Sequence, residues 1–140
     1  MRTILFALML LAASTVNAQS KLTIVVDGIE KNDGKILVAV YDSANFLKKP
    51  TYVNFAKVEN EEIAIVLQNV AVGEYAVSVF HDENNNNRLD TGSFGIPTEK
   101  TGFSNNAKGK MGTPPFSECK FTVDDDTVIY ITLTGYSFEK

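Results

Sequence analysis

Apolar and polar residues alternate in short runs along most of this chain, the period that places successive side chains on opposite faces of a strand. Leu22, Ile24 and Val26 alternate with Thr23, Val25 and Asp27. Ile36, Val38 and Val40 alternate with Leu37, Ala39 and Tyr41, so this run is apolar on both faces and reads as central. Further runs carry Ile63, Ile65 and Leu67, then Tyr75, Val77 and Val79. Cys119 opens another with Phe121 and Val123, and Ile129, Ile131 and Leu133 form the last. Thr51 to Glu59 reads as a weaker edge strand. Turn residues separate the runs: Asp33-Gly34, Asn69 to Gly73, and Asp124 to Asp126. Asp42 to Pro50 reads as a loop with one helical turn around Phe46 and Leu47.

No stretch keeps a helical period. The pattern therefore predicts an all-β fold: a single antiparallel β-sandwich of about seven strands, immunoglobulin-like or prealbumin-like, with one long ordered loop. The expected core is Ile24, Val38, Val40, Ile65, Val77, Val79, Phe121 and Ile131.

The long loop runs from Asp82 to Glu118, too far for a structureless connection in a compact domain. Phe94, Ile96, Phe103 and Phe116 are spaced along it and are expected to bury against one end of the sandwich. Its five glycines, Gly92, Gly95, Gly102, Gly109 and Gly112, are expected to supply unusual backbone angles.

That loop begins H-D-E-N-N-N-N-R-L-D. Asp82, Asn84, Asn86 and Asp90 fall at the first, third, fifth and ninth places of a calcium-loop spacing, with the Arg88 carbonyl at the seventh. Calcium takes about six to eight oxygens, and alternating short carboxylates and amides can supply them from one curled loop. The sixth place holds Asn87, which tolerates positive φ better than most residues, and the twelfth holds Ser93 in place of a bidentate Glu. Glu99 is the distant residue expected to complete the set, with Glu83 as the other candidate. The same Asn and Asp residues also suit a metal-free polar turn.

The first residues have a different character. Arg2 precedes an apolar run from Ile4 to Ala13, and Val16 and Ala18 fit the small-residue positions before a cleavage site. Residues 1–18 are therefore expected to be a signal peptide and residues 19–140 the β-sandwich domain, exported to the periplasm or beyond, with no membrane span after the leader is removed. The whole chain has 13 basic and 17 acidic residues; without Arg2 the balance is 12 against 17, a net of −5. An acidic domain with no basic stripe is a poor partner for nucleic acid. Cys119 is the single cysteine, so no intrachain disulfide forms, and it reads as a small buried hydrophobe.

The string H-D-E-N-N-N-N-R-L-D, followed by G-I-P-T-E, G-F-S-N-N-A and P-P-F, resembles the exported bacterial family catalogued as domain of unknown function 2141. The resemblance covers essentially the whole chain after the leader. Two departures stand out: Asn87 occupies a place where Gly is usual, and Lys100-Thr101 precedes Gly102 where Gly-Tyr is commoner. The resemblance implies fold and export, and no chemistry.

Two function classes follow. One is an exported, non-catalytic binding or accessory module of the cell envelope, its loop stabilised by Ca2+ through Asp82, Asn84, Asn86, Arg88, Asp90 and Glu99. Its partner would be an envelope or extracellular protein, a peptide or a glycan. Tyr41, Tyr52, Tyr75 and Tyr136 are candidate sugar platforms, although the absence of Trp counts against a carbohydrate module. The other is a small hydrolase using His81, Asp82, Glu99 and Ser104. Against it, Ser104 sits in G-F-S-N-N, which is no nucleophile elbow, and adjacent His81 and Asp82 would project to opposite faces of a strand.

Overall fold

The computed structural model describes residues 19–110 and 112–135, so the expected leader and Tyr136 lie outside the described residues. Eight strands form two sheets. Strands β1 (Gln19–Asp27), β4 (Ile63–Ala71) and β8 (Thr127–Thr132) make a three-stranded sheet in the order β4-β1-β8. Strands β2 (Lys35–Tyr41), β3 (Tyr52–Lys57), β5 (Gly73–Asp82) and β6 (Thr101–Phe103) lie in the order β3-β2-β5-β6. The short β7 (Phe121–Val123) pairs with the first residues of β5.

The alternation seen in the sequence is the alternation of burial. Leu22, Ile24 and Val26 of β1 are buried, as are Ile36, Val38 and Val40 of β2 and Val77 and Val79 of β5. One hydrophobic cluster takes these residues from both sheets, together with Ile65, Val123, Ile131 and Leu133. Seven of the eight expected core residues are buried. The eighth, Phe121, is half-buried and packs against the cluster from its margin.

Three expectations are corrected. Pairing is not antiparallel throughout, because β8 runs parallel to β1, with Ile24 beside Ile129 and Val26 beside Ile131. Parallel neighbours need a long connection, and here nearly the whole chain intervenes. Cys119 does not open a strand; it ends a short helix α1 (Phe116–Cys119), where it is fully buried. Phe94 does not bury but stands 99% exposed at a hairpin tip.

Among its described residues the long loop carries structure of its own, as expected. It holds β6, α1 and two 3-10 turns, Ser93–Gly95 and Ser104–Asn106. Phe116 meets Phe46 edge-on at 5.7 Å, and Phe46 meets Tyr41 at 5.8 Å, so this aromatic joins the two loops at one end. Of the five glycines, Gly95 and Gly112 have positive φ. Gly102 is needed for space instead: a Cβ there would stand 2.6 Å from Ile131 Cγ2, which sets how closely β6 approaches β8.

Candidate functional site

Strand β5 delivers His81 and Asp82 to the mouth of the Asn-rich loop, on opposite sides of the sheet. His81 is 1% exposed, in the buried row with Val77 and Val79. Its Nε2 pairs with the Asp33 carbonyl at 2.7 Å, and its amide N–H donates to the Lys100 carbonyl at 3.0 Å. Asp82 is fully buried. Its Oδ1 accepts the Asn86 amide N–H at 3.1 Å and its Oδ2 that of Asn87 at 2.9 Å. The chain curls back over Asp82 because Asn85 and Asn87 adopt left-handed φ of 56° and 62°, angles that Asn accepts more readily than most residues.

The rest of the loop closes on Asp90. Asn84 Nδ2 donates to Asp90 Oδ2 and Asn86 Nδ2 to Asp90 Oδ1, both at 2.7 Å. Asn84 Oδ1 accepts the Asn86 N–H, and Asn86 Oδ1 accepts the Arg88 N–H at 3.0 Å. These bonds, Asn86 first, hold the Asp90 carboxyl below its ordinary value.

Glu99 arrives from a hairpin stub. The Thr98 N–H bonds the Asp90 carbonyl at 2.9 Å, the Gly92 N–H bonds the Ile96 carbonyl at 2.8 Å, and Thr91 bridges Pro97. This return places the buried Glu99 carboxylate between the two ends of the loop. Its Oε1 accepts the Glu83 N–H at 3.1 Å and its Oε2 the Asp90 N–H at 3.0 Å. Burial raises the Glu99 carboxyl above its ordinary value. The two amide bonds oppose that rise, and the charges of Asp90 and Asp82 add to it.

All six expected cation-site residues thus belong to one loop system. Asp82 binds the amides of Asn86 and Asn87, Asp90 binds Asn84 and Asn86, and Glu99 ties in Asp90. Arg88 contributes its backbone to the turn. Glu83, the other candidate, turns its carboxylate away to Lys31 at 2.8 Å. Among the described residues no three His, Cys, Asp or Glu side chains gather closely enough to hold a metal by themselves. Any cation here would therefore draw on amide and carbonyl oxygens. Lys35 was not foreseen. Its ammonium lies 4.0 Å from Asp82 Oδ2 and bonds Asn87 Oδ1. Only the pairing of Lys35 with Asp82 across β2 and β5 reveals it.

The hydrolase set is not assembled. The Ser104 hydroxyl is fully buried, donating to the Cys119 carbonyl at 2.5 Å and accepting the Val77 N–H at 2.9 Å. Val77 lies four positions before His81 on β5, about 13 Å along a strand. The Cys119 thiol is pushed up to about 11 by burial, with Glu118 adding to it. Of the candidate sugar platforms, Tyr41 packs edge-on against Phe46, and Tyr52 and Tyr75 pack against each other. Tyr75 OH donates to the Ala71 carbonyl, Tyr52 OH accepts the Ala71 N–H, and their rings meet at 5.9 Å.

Residues 24–130 match the model of a family described as "Uncharacterized protein conserved in bacteria (DUF2141)". The chain belongs to this family. Neither the curated proteins nor the solved structures gave a match. The matched span contains both loop ends, so Asp82 and Glu99 lie within the family's own region. Among the described residues, no helix is long and apolar enough to cross a membrane.

Proposed function

We propose that this DUF2141 protein is an exported, non-catalytic β-sandwich module of the cell envelope, serving binding or assembly, whose Asn/Asp loop is closed by calcium. Export rests on the leader-like residues 1–18, and the sandwich reading on the single core shared by both sheets.

The calcium reading rests on one short loop that carries Asp82 and Asp90 and is tied at both ends by the buried Glu99 carboxylate. Two of these carboxylates are buried. Buried charge is costly unless it is paired or bound to a metal, and among the described residues Glu99, unlike Asp82 with its Lys35, makes no ion pair. The donor set is all oxygen, which suits calcium and not zinc. Asp82, Asp90 and Glu99 would hold the ion with the side-chain oxygens of Asn84 and Asn86 and the Arg88 carbonyl. The amides of Asn84 and Asn86 turn their NH2 groups to Asp90, so binding would require them to present their oxygens instead. The bound ion would tie loop to hairpin stub and relieve the repulsion that Glu99 feels from Asp90 and Asp82.

Isothermal titration of the chelator-stripped protein with calcium tests this reading. Weak saturable binding that disappears in Asp82→Ala is expected; no binding at several millimolar calcium overturns it.

A further inference from the structure

Strands β2 and β3 place Lys35 directly opposite Lys57. Like charges facing each other across neighbouring strands destabilise a sheet. Lys35 has Asp82 and Asn87 for company, but among the described residues Lys57 makes no ion pair. Beside them Phe55 is 63% exposed, and Lys35 Nζ stands 5.3 Å from its ring centroid. Gly34, Lys35, Phe55, Lys57 and Asn85 line an open depression of about 400 Å³.

Each lining group selects a chemistry. Lys57, unpaired among the described residues and opposite Lys35 on the neighbouring strand, favours an anionic group such as a carboxylate. An exposed phenyl ring is a flat apolar surface on which the CH face of a sugar ring can lie. The Asn85 amide, at the lip of the calcium loop, can both donate to and accept from hydroxyls.

An extended peptide adding itself to the sheet is disfavoured. The Phe55 N–H is taken by Asn54 Oδ1 at 2.8 Å, and Asn54 Nδ2 bonds the Val66 carbonyl of β4 at 2.9 Å. The β3 edge is thereby tied to the other sheet at Asn54, and the Phe55 N–H is not free for strand addition.

We propose that this depression binds a uronate unit of an acidic saccharide, its carboxylate between Lys35 and Lys57, its ring on Phe55 and a hydroxyl on Asn85. The proposal deepens, and rests on, the binding-module reading; it does not require the calcium ion.

The test is titration of the full chain with tetragalacturonate, by calorimetry and by amide chemical shifts, in excess chelator and again in calcium. A neutral glucan tetrasaccharide and a short polyglutamate peptide are the controls. Saturable binding of the uronate is expected, with shifts at Gly34, Phe55 and Asn85. Lys57→Gln and Phe55→Ala should each weaken it by roughly tenfold, and Lys57→Arg should retain most of the affinity. Both side chains are exposed, so melting temperatures should hardly move. Absence of binding, equal binding of the neutral glucan, preference for the peptide, or affinity unchanged in both variants overturns the proposal. Uronate binding in a protein indifferent to calcium sinks the calcium reading alone; a calcium response without uronate binding sinks this one alone.

Discussion

Glu99 accepts the amide N–H of Asp90 at 3.0 Å from nine positions further along the chain. Its second oxygen takes the N–H of Glu83 at 3.1 Å, so one buried carboxylate spans both ends of the loop. Glu99→Ala removes both acceptors at once. A buried donor left unsatisfied costs about 1–3 kcal/mol, and a loss of that order is expected in urea unfolding with chelator present. Glu99→Gln keeps one oxygen acceptor and should lose less.

The same carboxylate sets a pH dependence. Burial raises Glu99 above its ordinary value, so the folded protein binds that proton more tightly than the unfolded chain. Its contribution to stability is present at low pH and is lost as pH rises through the window just above the ordinary glutamate value. Asp90 behaves oppositely. Held low by Asn86 and Asn84, it stabilises above the ordinary aspartate value, and that contribution fades as pH falls below it. Urea unfolding across pH in chelator should therefore show Glu99→Gln flattening the upper slope and Asp90→Asn removing the acid-side loss. If both variants track the wild type, the placement of these two carboxylates is wrong.

Much of this arrangement could be read from residue order. The period of two found the core rows, and the spacing from Asp82 to Asp90, with Glu99 returning after Pro97, marked residues that hydrogen bonds join in one loop. What escaped depends on pairing between distant segments. Nothing local in Thr127 to Thr132 specifies that it runs parallel to β1. Nothing near Lys35 announces that Lys57 and Asp82 flank it on the neighbouring strands. The alternation of C-K-F-T-V predicts a strand through Cys119, yet Pro115 and the Lys120 N–H bonded to the Phe116 carbonyl start and close one helical turn there.

Ser104 supports a structural prediction. Its hydroxyl joins the Val77 N–H of β5 to the Cys119 carbonyl of α1 inside the protein. Ser104→Ala strands that buried N–H and should cost roughly 1–3 kcal/mol. Hydrogen exchange should quicken at Val77 and in α1. A variant as stable as the wild type would refute the bridging role.

Gly34 lies against the start of the same loop. Its φ is 71°, and a Cβ would stand 2.0 Å from the Asp82 carbonyl oxygen and 2.8 Å from Glu83 Cα. Gly34→Ala must therefore move the backbone that carries Asp82. A loss of at least ~1 kcal/mol is expected from the left-handed angle alone, together with weaker calcium binding. Retained stability and retained calcium affinity would show that the turn and the loop are independent.

Ser93 stands where a bidentate Glu would, and Glu99 must serve while still holding two amides, so calcium affinity should be weak, roughly 0.1 mM as in extracellular modules. At about 1 mM calcium, ten times that constant, the folded state gains RT ln 11, about 1.4 kcal/mol. For a domain of this size that raises Tm by roughly 3–6 °C. Magnesium should do less, because it demands tighter octahedral geometry and sheds water reluctantly. Asp82→Ala and Glu99→Gln should each remove the calcium-dependent part. Asp125→Ala should leave it intact, since the Asp125 carboxylate only caps the Asp126 N–H in an exposed turn. Identical midpoints in excess chelator and in several millimolar calcium would leave the Asn-rich stretch as a polar turn, held by the hydrogen bonds of Asp82, Asp90 and Glu99 alone.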